Sequence, residues 1–109
     1  MTEKLKVLNL SGCNNFTRTP NFSTFIALEI LNLGMCKNLV ELGFGKLDVS
    51  NLGMLKELKL HKCQKLAKVE GLGVLKSLEI LDATWCTSLE RLDLSNHPSF
   101  TLVFTVNDG

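Results

Sequence analysis

Four times along the chain the same phrase recurs: a leucine, two variable residues, a leucine, one variable residue and a third apolar residue, opening at Leu5, Leu28, Leu55 and Leu78. A cysteine stands eight positions after each opening leucine, at Cys13, Cys36, Cys63 and Cys86, so the four cysteines are one structural position used four times. Successive units are 23, 27 and 23 residues apart. A fixed period of this length marks a stacked architecture, in which no unit can bury its own apolar face and each relies on its neighbours.

Within a unit, apolar residues two apart, such as Leu31 and Leu33, describe a short strand with one buried face. Beyond Leu33 the spacing becomes irregular, as in a chain that has turned a corner. The returns 21–27, 48–54 and 70–77 carry apolar residues three apart, Phe22 and Phe25, Val49 and Leu52, Leu72 and Leu75, which suits a single helical or 3-10 turn. The full phrase, L-x-x-L-x-L-x-x-C-x-x-L over residues 5 to 92, resembles the leucine-rich repeat. The implied fold is an α/β solenoid, a horseshoe arc with a parallel concave β-sheet and short helical or 3-10 return segments.

The expected division is one domain, 1–109, with units at about 5–27, 28–54, 55–77 and 78–100, and a degenerate fifth at 101–109. A step of 23 residues from Leu78 lands on Thr101, which puts Phe104 and Val106 in the slots of Leu81 and Ala83 and the cysteine slot at Gly109. His97-Pro98 interrupts the return ahead of it. Ending in mid-repeat, and opening on a bare apolar edge at Leu5, Leu8 and Leu10, the chain is expected to be a fragment of a longer solenoid.

The four cysteines raise metal and disulfide chemistry, and spacing argues against the first. Zinc ligands cluster closely, whereas these thiols lie a whole repeat apart and neither His61 nor His97 recurs with them. No metal or cofactor site is expected. Stacked units would set the thiols in a ladder at about one strand spacing, roughly 4.8 Å, which leaves disulfide geometry open; a cytosolic setting favours buried free thiols that donate to turn carbonyls.

A net charge of +1 argues against nucleic acid as a main partner, and no apolar run is long enough for a membrane span or placed as a secretory signal. An intracellular, cytoplasmic protein is expected, with the nucleus also open. Glycines 71 and 73 before Lys76-Ser77 only superficially imitate a phosphate loop, because they lie in a return segment. No cysteine has a repeat-matched histidine, so no catalysis is expected.

Function then falls to the variable strand positions, which stack into lateral columns facing outward. Lys6, Glu29, Lys56 and Glu79 alternate in sign and read as register support. Val7, Ile30, Glu57 and Ile80 place apolar side chains on a wet face, which marks a contact surface. In the column begun by Asn9 and Asn32, Lys59 faces Asp82, and the two are expected to pair. The columns Ser11, Gly34, His61, Thr84 and Gly12, Met35, Lys62, Trp85 hold the sole tryptophan, which reads either as a partner anchor or as a cap on the sheet edge. The candidate partner-binding set is Trp85, Met35, Lys62, His61, Ile30, Ile80, Lys59 and Asp82. The extra four residues of the second unit fall between Leu42 and Val49, at about Gly43-Phe-Gly-Lys46, either a functional loop or a glycine-eased bulge.

The wording of the units narrows the resemblance. Leu5-Lys-Val-Leu-Asn-Leu-Ser-Gly-Cys13, Phe16-Thr-Arg-Thr-Pro-Asn-Phe-Ser23 and Leu28-Glu-Ile-Leu-Asn-Leu33 with Cys36-Lys-Asn-Leu39 resemble the leucine-rich-repeat region of plant intracellular immune receptors. The class is the one that joins a Toll/interleukin-receptor domain, a nucleotide-binding domain and such repeats. The L-x-G-x-I-P segment of extracellular plant repeat proteins is missing. The resemblance implies a protein-recognition module that senses pathogen effectors or a guarded host protein and contributes to autoinhibition, partnered by those proteins and by other receptor domains. The alternatives are an adaptor or ubiquitin-ligase substrate arm outside immunity, or a piece of an NAD-hydrolysing receptor whose catalytic domain is not in these residues.

Overall fold

A computed structural model of the chain describes residues 4–19, 22, 24–44 and 52–92, with the backbone alone at 91–92 and 101–103. Eight short strands run through the described residues, and all of their pairings are parallel. The first of each unit, β1 (Val7–Asn9), β2 (Ile30–Asn32), β4 (Glu57–Lys59) and β6 (Ile80–Asp82), join β8 (Thr101–Val103) in one five-stranded sheet, in that order. The pairing follows the sequence period: Leu8 opposes Leu31, Leu31 opposes Leu58, and Leu58 opposes Leu81. Identical residues meet across the sheet because parallel register joins equivalent points of successive units.

A second sheet follows the first around each unit. β3 (Glu41–Gly43), β5 (Lys68–Glu70) and β7 (Arg91–Leu92) pair in parallel, and Arg18 adds an isolated bridge to Glu41. The expectation of a corner followed by a helical return omitted this sheet. Its signal is one apolar residue per unit set between polar neighbours, Leu42, Val69 and Leu92, 14 positions after each opening leucine.

Corners are made by backbone turns closed three residues apart. The N–H of Cys13 donates to the Leu10 carbonyl, Cys63 to Leu60, Leu39 to Cys36 and Leu66 to Cys63, each at 3.2 Å. Return segments repeat the device: Phe25 to Phe22 at 3.0 Å, Leu55 to Leu52 at 3.2 Å and Leu75 to Leu72 at 3.0 Å. In the third unit this becomes a 3-10 turn, Leu72–Val74, entered through Gly71 at φ 81. The three-residue apolar spacing therefore reports turns, and Val49 lies outside the described residues.

Two expectations are corrected by register. β8 lies where a fifth strand was expected, but Ile80 pairs with Thr101 and Leu81 with Leu102, a step of 21 residues. Leu102, and not Phe104, occupies the Leu81 slot. A shift of two residues keeps every side chain on its face, so the alternating pattern could not detect it. His97, Pro98, Phe104, Val106 and Gly109 lie outside the described residues. The second correction concerns the extra residues of unit 2. Gly43 pairs with Glu70 inside the sheet, and the buried Phe44 donates its N–H to the Glu70 carbonyl at 3.2 Å. The insertion therefore follows Phe44; Gly45 and Lys46 lie outside the described residues.

The core is one leucine-dominated cluster between the strands and the returns. Leu28, Leu31, Leu33, Leu39, Leu42, Leu55, Leu58, Leu60, Leu66, Leu72, Leu75 and Leu81 are fully buried, and among the described residues no polar or charged side chain is buried with them. Each such leucine contributes roughly 1.5–3 kcal/mol of transfer free energy. Among the described residues no helix is long and apolar enough to cross a membrane.

Candidate functional site

The cysteine position is structural. Cys36 Sγ lies 3.3 Å from the Leu10 carbonyl, Cys63 Sγ 3.0 Å from that of Leu33 and Cys86 Sγ 3.0 Å from that of Leu60. Each thiol donates to the turn carbonyl of the preceding unit, so the ladder ties units together at the corner. All four cysteines are free. Burial pushes the Cys63 thiol up to about 12, against the opposing pull of the Cys36 N–H, and burial also raises Cys36 and Cys86. A thiol held protonated in this way is a poor nucleophile and a poor metal ligand.

Two positions before that turn, the polar column Asn9, Asn32, Lys59, Asp82 divides by chemistry. Asn9 Oδ1 accepts the Ser11 N–H at 3.0 Å, Asn32 Oδ1 the Gly34 N–H at 2.9 Å and Asp82 Oδ1 the Thr84 N–H at 3.1 Å. These side-chain turns satisfy an N–H where the sheet ends. Lysine has no acceptor atom, so Lys59 cannot do the same for His61. The expected Lys59–Asp82 pair does not form: among the described residues the ion pairs are Arg18–Glu41 at 3.3 Å and Lys68–Glu70 at 3.5 Å. The alternating rung Lys6, Glu29, Lys56 and Glu79 likewise makes no ion pair there.

The column Gly12, Met35, Lys62, Trp85 has a shared backbone peculiarity. φ is 76 at Gly12, 57 at Met35, 60 at Lys62 and 60 at Trp85. For a side chain other than glycine this left-handed region costs roughly 1–2 kcal/mol. The conformation is held from outside: the N–H of Gly12 donates to the Gly34 carbonyl at 2.8 Å, Met35 to His61 at 2.7 Å and Lys62 to Thr84 at 2.8 Å. Glycine is the unstrained residue here, and three units carry large side chains instead. Those side chains are exposed, Met35 at 43% and Trp85 at 45%. The sequence clue was Gly12 itself, directly before a cysteine.

Trp85, Met35 and Lys62 thus stand side by side along the turn edge of the five-stranded sheet. His61, in the neighbouring column, has its ring over Gly34, where an added Cβ would collide with the imidazole. Ile30 and Ile80 share the other apolar column with Glu57 between them, half-buried, while Val7 is exposed. The candidates accordingly form two groups, a turn edge (Met35, Lys62, Trp85, His61, Lys59) and a strand-start strip (Ile30, Ile80), with Asp82 occupied as a turn cap. Arg18, Glu41, Lys68 and Glu70 on the second sheet were not anticipated.

No protein-family model matches the chain. It is 34% identical over 87 residues to disease resistance protein RML1A of Arabidopsis thaliana and 35% identical over 91 residues to TMV resistance protein N of Nicotiana glutinosa. These alignments cover 80% and 81% of the chain but 8% and 7% of the two relatives. The chain therefore spans less than about a tenth of the length of the curated relatives it matches. Both relatives are resistance proteins, and the likeness is to that family.

Proposed function

We propose that these residues are a leucine-rich-repeat segment of a plant intracellular immune receptor, coiled as a solenoid, and that the outward face of the five-stranded sheet is its protein-recognition surface. The partner is a pathogen effector, a guarded host protein or another domain of the receptor, met in the cytoplasm, and the segment has no catalytic role of its own. The observation that carries this reading is the turn edge. A repeated frame of apolar residues and thiols displays Met35, Lys62 and Trp85 at a backbone position where each is strained and glycine would be relaxed. Strain kept at exposed side chains points to use outside the fold. The resemblance to resistance proteins gives that use its class.

The test is Trp85→Ala in the parent receptor. A large aromatic anchor truncated at a contact costs about 2 kcal/mol or more of binding, some thirtyfold in affinity. The expected result is loss of partner capture and of the leaf defence response, with the melting temperature of the repeat segment unchanged. Full defence signalling by the variant, or a binding loss that only tracks a collapse in melting temperature, would overturn the reading.

A further inference from the structure

The third unit departs from the other three in four of the five outward columns. Glu57 stands among Val7, Ile30 and Ile80, Lys59 among Asn9, Asn32 and Asp82, His61 among Ser11, Gly34 and Thr84, and Lys62 among Gly12, Met35 and Trp85. Two of these choices forgo local stability. Lys59 gives up the side-chain cap that the other three units make onto the next N–H but one. Lys62 adopts φ 60 where a glycine would be unstrained. Both replacements install a cation, and neither cation has an ion-pair partner among the described residues. Asp82, one strand over, is engaged by the Thr84 N–H.

The flanks are apolar. Met35 sits one strand to one side of Lys62 and Trp85 one strand to the other, at roughly 4.8 Å per step. The indole makes no aromatic contact among the described residues, where the ring pair is Phe22 with Phe25. A positive centre between a thioether and an indole matches a carboxylate set between apolar side chains.

Resting on the recognition reading, we propose that this edge binds an acidic–apolar segment of the partner protein, laid in extended form across the units. Its carboxylate meets Lys62 and Lys59, and its apolar side chains meet Met35 and Trp85. An extended peptide that presents apolar, acidic and apolar residues at alternate positions spans about 13 Å, within side-chain reach of bases roughly 10 Å apart.

The probes are three labelled peptides of the pattern Leu-Ser-X-Ser-Phe, with X glutamate, glutamine or lysine. They are titrated against the chain by anisotropy and by the emission of its single tryptophan. The expected result is binding of the glutamate peptide at least about tenfold tighter than the glutamine one, weakened by salt, with the lysine peptide weakest. Lys59→Asn and Lys62→Gly install the residue types that unit 1 carries at Asn9 and Gly12, so they should leave the fold as firm or firmer while abolishing the tenfold preference. Equal affinity for the glutamate and glutamine peptides, a preference that survives both substitutions, or no binding by any probe would overturn the acidic segment. Those failures leave the recognition reading standing provided Trp85→Ala still abolishes partner capture; if that variant also behaves as the parent, both fall.

Discussion

Units 1 and 3 spell the same frame, Leu5, Leu8, Leu10, Cys13 and Phe16 against Leu55, Leu58, Leu60, Cys63 and Leu66. The first set is only half-buried, and the second is buried completely. Their outward residues differ in the opposite sense. Unit 1 carries Asn9 as a cap and Gly12 at the left-handed turn, the locally stable choices, while unit 3 carries Lys59 and Lys62. A repeated phrase thus specifies which residues go inward, but neighbours supply the burial. Of these two units, the one with strands on both sides of it in the sheet is the one whose surface gives up local stability.

The largest effect should separate Leu58 from Leu8. Leu58→Ala removes a fully buried side chain and should cost about 3 kcal/mol, whereas Leu8→Ala at the half-buried edge should cost about 1 kcal/mol. Urea denaturation midpoints of the two variants measure the difference. Equal losses would mean that the outer edge of β1 is covered in solution and that the two units are equivalent.

Thiol chemistry sharpens the same contrast. Cys13 is half-buried and makes no thiol hydrogen bond among the described residues, so a maleimide should label it at least about a hundredfold faster than Cys63, which reacts only when the structure opens. Cys63 is pushed from an ordinary 9.0 to about 12 by burial. In that window the folded state keeps a proton that the unfolded chain releases, so folding stability falls as pH climbs above about 9, by at most about 1.4 kcal/mol per pH unit for each such thiol. Cys36 and Cys86 shift the same way. Stability curves between pH 8 and 11 should therefore slope downward, and less steeply in Cys63→Ala. A Cys63→Ala curve as steep as that of the unsubstituted chain would show that burial does not hold this thiol protonated.

The smallest effects lie in the outward columns and have the reverse sign. Lys62→Gly relieves left-handed strain of roughly 1–2 kcal/mol and loses some of it to glycine's chain entropy, for a net gain of up to about 1 kcal/mol. Lys59→Asn should add about 0.5–1 kcal/mol by capping the His61 N–H. Gly12→Lys in unit 1 should lose what Lys62→Gly gains. Melting temperatures that move oppositely would show that the two positions are one backbone site; a neutral Gly12→Lys would show that unit 1 does not hold the turn as unit 3 does.

The sequence alone determined the frame: which leucines turn inward, that the cysteines share one slot, that the first strands of units 1 to 4 pair in parallel, and which residues stand in each outward column. These follow from a period that repeats the same local chemistry, so one unit explains the next. The second sheet, the partner of Asp82, the left-handed turn beneath Met35, Lys62 and Trp85, and the two-residue register step at β8 were decided by the tertiary structure. The sheet, the turn and the register step depend on hydrogen bonds between residues far apart in the chain, while Asp82 takes a local N–H in place of the lysine one strand away. A period-two pattern reads the same after a shift of two, and a column of side chains does not reveal whether a carboxylate will meet a lysine beside it or an N–H two residues on.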